Sequence, residues 1–109
     1  MAEGGLRGIP GGNGCVVAKV CLMNSAEDRF TPGSIILTKR TDPGWISLFP
    51  LASGLIVEYG SMLSHSFVVA REMGLPAVVG VCRATELIPD GALVRLDGLS
   101  GEVTVLNEE

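Results

Sequence analysis

Fifteen glycines and six prolines cut this 109-residue chain into short apolar runs, and that spacing is the strongest constraint on what it can fold into. Cys15–Met23, Ser34–Thr38, Gly54–Tyr59, Pro76–Val81, Ala92–Asp97 and Glu102–Leu106 are of strand length, rich in Val, Ile and Leu, and bounded by turn residues. The first of these runs has a β-branched core at Val16, Val17 and Val20. Ahead of it, Gly8-Ile9-Pro10-Gly11-Gly12-Asn13-Gly14 predicts a turn-rich lead-in, and residues 24–33 a polar connection. Pro89-Asp90-Gly91 predicts a tight turn, and Gly98-Leu99-Ser100-Gly101 a hairpin connection between the last two strands.

One long stretch, residues 64–73, carries the helical period instead. Its core stripe is Leu63, Phe67, Ala70 and Gly74, with Val69 and Met73 beside it; Ser61 or Ser64 can cap its start, and Gly74-Leu75-Pro76 is a stop signal. Trp45–Ala52 fits a shorter helix, with Thr41 or Asp42 as cap candidate and Ile46, Leu48 and Phe49 toward the core; Pro50 leaves its end open. Ala84–Leu87 reads as a single helical turn. Strands outnumber helices, and the main helix sits between two strands. The class is mixed α/β: one compact domain over residues 1–109, a curled or layered sheet with one principal helix (about 64–73) and a short second helix covering a face.

Composition removes several functions. The formal charge is -4 and the cations are scattered, so no basic stripe speaks for nucleic acid. Cys15 and Cys21 lie on one strand about 20 Å apart, too far to bond to each other. With three cysteines, no C-x-x-C spacing and one histidine, neither a disulfide framework nor a metal site is expected. No apolar run reaches the roughly 20 residues of a membrane span, and Met1-Ala2-Glu3-Gly4-Gly5 lacks a signal-peptide start. A cytoplasmic protein with no membrane contact is the expectation.

His65 is the single histidine and stands at the start of the main helix. Counting 100° per residue, it lies about 200° from Leu63 and shares a face with Val68 and Glu72, away from the helix's own core contact. A helix N-terminus presents unpaired N–H groups and a partial positive charge, which suit a neutral nucleophilic imidazole and a phosphoryl group added to it. The ordinary alternative is a surface or capping residue. Glu58 and Tyr59 end the preceding strand near this point, with no spacing that demands catalysis.

Thr41-Asp42-Pro43-Gly44-Trp45, Gly54-Leu55-Ile56-Val57-Glu58, and Ser64-His65-Ser66 followed by Val69-Ala70-Arg71-Glu72 and Gly74-Leu75-Pro76-Ala77-Val78-Val79-Gly80 make the pattern specific. Together they resemble the mobile phosphohistidine domain of phosphoenolpyruvate-utilising enzymes, a family that includes phosphoenolpyruvate synthase, pyruvate phosphate dikinase and rifampicin phosphotransferase. The resemblance covers nearly the whole chain and is densest from Thr38 to Val81. It implies a swivelling β/β/α domain whose histidine, here His65, is phosphorylated on Nε2. It also implies a piece of a larger multidomain phosphotransferase of kinase or dikinase type. The domain would commute between an ATP-grasp nucleotide-binding domain and a domain that binds pyruvate, phosphoenolpyruvate or a small hydroxyl-bearing acceptor. It would bind no cofactor itself, Mg-ATP belonging to the partner domain, and would not complete the reaction alone.

The resemblance also suggests neighbours for the phosphoryl group. Arg71 matches the family's Ala-Arg pair and could lend positive potential, although it lies about 240° around the helix from His65; a solvated or packed Arg is the alternative. Ser64 and Ser66 flank the imidazole and could bond a phosphate oxygen, cap the helix, or both. Ser61 replaces the second glycine of the family's common Gly-Gly turn. Leu63 stands where dikinases and synthases commonly have Thr, which is closer to the rifampicin phosphotransferase branch. Two other classes remain: a non-catalytic interaction or regulatory module that kept the fold, and a hydrolase using Ser64 or Ser66 with His65 as base. The hydrolase lacks an acidic orienter and a Gly-x-Ser-x-Gly elbow.

Overall fold

The apolar runs pair into one eight-stranded sheet in a computed structural model that describes residues 5–11, 14–25, 28–41, 43–60 and 64–106. The elements in chain order are β1 (Gly5–Arg7), β2 (Ile9–Pro10), β3 (Cys15–Leu22), β4 (Ile35–Thr38), a 3₁₀-helix (Pro43–Leu51), β5 (Gly54–Val57), α1 (His65–Glu72), β6 (Ala77–Val79), α2 (Ala84–Leu87), β7 (Leu93–Asp97) and β8 (Glu102–Leu106). Across the sheet the order is β1-β8-β7-β3-β4-β5-β6-β2.

β3 joins two half-sheets. Its first part, Cys15 to Lys19, runs antiparallel to β7, and its last part, Val20 to Leu22, runs parallel to β4. From there β4, β5 and β6 are all parallel, so helices must carry the chain back between them. The 3₁₀-helix makes the β4-to-β5 return and α1 the β5-to-β6 return, and the two pack on each other.

Because β4, β5 and β6 are buried on both faces, they read as unbroken apolar runs instead of alternating ones. Alternate residues still separate into two cores. Ile35, Leu37, Ile56 and Val78 face Val94, Leu96 and Val103 of the antiparallel half, together with Ala84 and Ile88 of the α2 region. Ile36, Leu55, Val57, Ala77 and Val79 face the helices and meet Trp45, Phe49, Phe67 and Ala70. On β3, which is open on one side, alternation returns: Val20 is buried and Val17 is 51% exposed. Val17 is therefore not a core residue, because a period of two sends it to the face opposite Val16 and Val20.

The turn-rich lead-in holds one short strand, β2, and another, β1, lies just ahead of it. β1 pairs with β8 and β2 with β6, at opposite ends of the sheet, although only Gly8 separates them in sequence. The sheet thus curls until its ends nearly meet. Gly8 donates to the Gly101 carbonyl at 2.9 Å, and a Cβ on Gly8 would sit 2.5 Å from the Val79 carbonyl oxygen. Pro10 is tolerated because β2 is an edge strand.

The helices also differ in detail from the sequence pattern. Trp45 is fully buried with Phe49, while Ile46 and Leu48 are half-buried, so the indole is the principal anchor of the 3₁₀-helix. Pro50 lies inside this helix, and Asp42 falls outside the described residues. At nine residues the 3₁₀-helix is as substantial as the eight-residue α1. Gly74 and Met73 are exposed, not part of the α1 core stripe, and Leu63 lies outside the described residues. The reason is a terminating motif: Gly74, at φ +79, donates to the Arg71 carbonyl and Leu75 to the Ala70 carbonyl, which turns the chain away and buries Leu75.

Candidate functional site

Parallel β4, β5 and β6 end at one rim of the sheet, and α1 begins at that rim because it follows β5 directly. Openings at the carboxyl ends of parallel strands are where such sheets commonly hold ligands. The rim carries Lys39 and Arg40 after β4, Glu58, Tyr59 and Gly60 after β5, and Gly80 after β6.

His65 is the first residue of α1 and is exposed. Ser64 is the N-cap: its backbone is extended, at φ -68 and ψ 143, and its Oγ accepts from the Phe67 N–H at 3.3 Å. The Ser64 carbonyl accepts the first helical bond, from Val68, at 3.1 Å. Phe67 is buried, which anchors this first turn to the core. The imidazole is thus held at the solvent edge of a capped, anchored helix start, where backbone donors and the helix dipole favour an anion.

The other candidates separate. Ser64 adjoins His65 and has the capping role. Ser66 is 4% exposed and faces inward. Arg71 is exposed in the last turn of α1; six residues on, it stands about 9 Å farther along the axis and two-thirds of a turn away, so the helix itself does not bring it to the imidazole. Ser61 lies outside the described residues.

Two further arrangements occupy the rim. Glu58 is buried, and its Oε1 accepts from the Thr85 N–H at 2.8 Å and the Thr85 hydroxyl at 2.6 Å. The Thr85 hydroxyl, then its backbone N–H, Tyr59 and the field of Lys39 hold the Glu58 carboxyl below its ordinary range, against the opposing effect of burial. Tyr59 is pushed the other way, above the usual phenol value, by Glu58 beside it, with Arg40 opposing. The Arg40 guanidinium lies over the Tyr59 ring, 5.1 Å from its centroid. Only strand register makes these contacts, since Thr38 pairs with Val57. A carboxylate and a phenol closing an apolar strand are the signal the chain offers, and the Arg40 contact has no local one.

Among the described residues no group of three or more His, Cys, Asp and Glu side chains is arranged to hold a metal ion, and no helix is long and apolar enough to cross a membrane. Cys15, Cys21 and Cys82 are free thiols.

Residues 30–101 match the family described as "PEP-utilising enzyme, mobile domain". The chain belongs to this family. The matched span holds the 3₁₀-helix, His65 with its Ser64 cap, and the Glu58–Thr85 contact, while β1, β2 and β3 precede it. Among relatives in the mobile-domain family, rifampicin phosphotransferase of Bacillus cereus is 44% identical over 100 residues, covering 91% of this chain and 12% of that protein. Phosphoenolpyruvate synthase of Aeropyrum pernix is 38% identical over 101 residues, covering 90% of this chain and 12% of that protein. The chain therefore spans about an eighth of the length of these relatives. Among solved structures, holo-form aconitase X of Thermococcus kodakaraensis aligns with a TM-score of 0.75 at 18% identity, covering 95% of this chain and 99% of that chain. That likeness is one of fold alone.

Proposed function

We propose that this chain is the phosphohistidine carrier of a larger phosphotransferase and that His65 is the residue phosphorylated. The observation that carries this reading is His65 itself: an exposed imidazole on the first residue of a capped helix, inside a span that matches the mobile-domain family. In the first transfer the Nε2 lone pair attacks phosphorus in line, an N–P bond forms, and the P–O bond to the donor's leaving group breaks with its electron pair on that oxygen. In the second, an acceptor oxygen attacks the same phosphorus and the N–P bond breaks, returning the pair to Nε2. The helix start would stabilise the phosphoryl oxygens in both steps.

Two attacks at one nitrogen require two separate partners, so the domain would swivel as a β/β/α body between them. The donor partner is an ATP-grasp domain that holds Mg-ATP. The acceptor partner binds pyruvate, phosphoenolpyruvate or a small hydroxyl-bearing molecule. The names of the two relatives support the choice of acceptor, and the eighth of their length that the chain covers supports partners in the same polypeptide. ATP and magnesium would then be requirements of the whole enzyme, which would act in the cytoplasm as a kinase or dikinase.

The test is phosphorus NMR of the full-length protein after incubation with Mg-ATP, with His65→Ala as control. An acid-labile, base-stable phosphohistidine resonance in the wild type alone is expected. A folded, nucleotide-binding protein that acquires no such resonance would overturn the carrier and leave a non-catalytic module.

A further inference from the structure

The chain has five aromatic residues, and four of them serve the core: Trp45, Phe49 and Phe67 are buried and Phe30 is half-buried. Tyr59 is 52% exposed at the rim that carries His65, and the Arg40 guanidinium lies over its ring. An aromatic face and a guanidinium attract each other, and the contact restrains an otherwise mobile side chain without itself using a hydrogen bond.

The backbone positions the pair. Past the strand ends, Glu58 donates to the Thr38 carbonyl at 2.9 Å and Tyr59 to the Lys39 carbonyl at 2.8 Å, so the β4 and β5 extensions stay zipped to the rim. Beyond Arg40 the chain enters the 3₁₀-helix that packs on α1, and beyond Tyr59 it leads to the start of α1. Arg40 and His65 are thus brought to one edge by two adjacent parallel strands and the helices that follow them.

No carboxylate among the described residues forms an ion pair with Arg40. Among the described residues the ion pairs are Arg7–Glu102 and Arg83–Glu86, and the buried Glu58 carboxylate is occupied by Thr85. A restrained, planar, five-donor cation at the same rim of the sheet as a candidate phosphoryl acceptor matches phosphate oxygens in geometry and charge.

We infer that Arg40, held over Tyr59, is a phosphate-binding residue that grips the triphosphate of the donor as it is brought against His65. This rests on the carrier reading of His65 and adds to it a residue outside α1. Arg40 makes no bond to phosphorus and transfers no proton; it lowers the repulsion between the donor's phosphates and the arriving site.

The experiment is single-turnover labelling of His65 from γ- and β-labelled Mg-ATP in the full-length protein, across a series of salt concentrations. Wild type, Arg40→Gln, Arg40→Lys, Tyr59→Ala and His65→Ala are compared, with unfolding midpoints measured alongside. Arg40→Gln keeps a planar group over the ring without the charge and should label about 10- to 100-fold more slowly, the worth of one charge-assisted hydrogen bond. Arg40→Lys and Tyr59→Ala should lose less, about 3- to 10-fold, because the charge stays while the fork or its support is lost. The salt dependence of the rate should flatten in Arg40→Gln, which a purely structural role would not produce. Labelling of Arg40→Gln within twofold of wild type, or slower labelling with an unchanged salt dependence, would overturn the inference while leaving the carrier standing. Absence of label in the wild type would instead overturn the carrier, and this inference with it.

Discussion

Glu58 at the end of β5 caps α2 through Thr85, accepting with one oxygen both the backbone N–H and the hydroxyl of that residue. The position that should cap α2 is Arg83, which makes no side-chain cap bond and sits at φ 61. A carboxylate 27 residues away in sequence has taken over the task, and it ties the rim of the parallel half-sheet to the α2 segment, whose Ala84 and Ile88 pack in the core shared with the antiparallel half.

Glu58→Ala should destabilise the fold by about 1.5–3 kcal/mol, the range for hydrogen bonds to a charged group, with two Thr85 donors left without their acceptor. Urea unfolding monitored through Trp45, which is buried in the other core, reads this directly. A midpoint equal to wild type would mean that water replaces the carboxylate at no cost.

The same group sets an acid dependence. The Glu58 carboxyl is held below its reference value of 4.5, so its contribution is fully present above that pH and is lost as pH falls through the lower folded value. Between neutrality and pH 4.5 the stability difference between wild type and Glu58→Gln should be constant; below 4.5 it should shrink. Parallel curves through the acid range would sink this assignment.

Ser64→Ala removes the α1 cap and should cost about 1 kcal/mol, with Ser64→Gly costing only a few tenths. Calorimetric midpoints of the two variants decide it. Equal losses would point to some role for Oγ other than the bond to the Phe67 N–H.

Gly74→Ala forces a Cβ into left-handed backbone and should cost about 1–2 kcal/mol, even though nothing lies within 4 Å of that Cβ. The penalty is conformational, so Gly74→Asn should recover part of it. Equal stability of all three proteins would show that α1 ends another way.

His65→Ala should shift unfolding free energy by no more than about 0.5 kcal/mol, because the side chain is exposed. Phe67→Ala, two residues on, should cost about 3–5 kcal/mol because its ring is 1% exposed between α1 and the sheet. A large loss in His65→Ala would make the histidine a structural residue.

Much of this arrangement was legible in the chain. The runs Ser34–Thr38, Gly54–Tyr59, Pro76–Val81, Ala92–Asp97 and Glu102–Leu106 each contain a strand, and the 64–73 period contains α1 with Ser64 as its cap. Val17 and Gly74 were misplaced because an apolar run and a stop signal do not reveal which face or which turn a residue occupies. β1 and β2 were hidden because the glycine- and proline-rich stretch of residues 5–10 has the composition of a turn and becomes sheet only by bonding to β8 and β6.

What the sequence determined by itself was local: where the chain can extend, where it can coil, and that a lone histidine stands at a helix start off the core stripe. Those properties depend on φ/ψ preference and side-chain period within about ten residues, and both are written in the order of the residues. The tertiary structure alone decided that Glu58 would cap α2, that Arg40 would lie over Tyr59, and that Gly8 would carry the chain from one end of the sheet to the other. Each of these depends on which strands pair and in what register, and that choice is made by burying two apolar faces at once, a property of the whole chain and of no single segment.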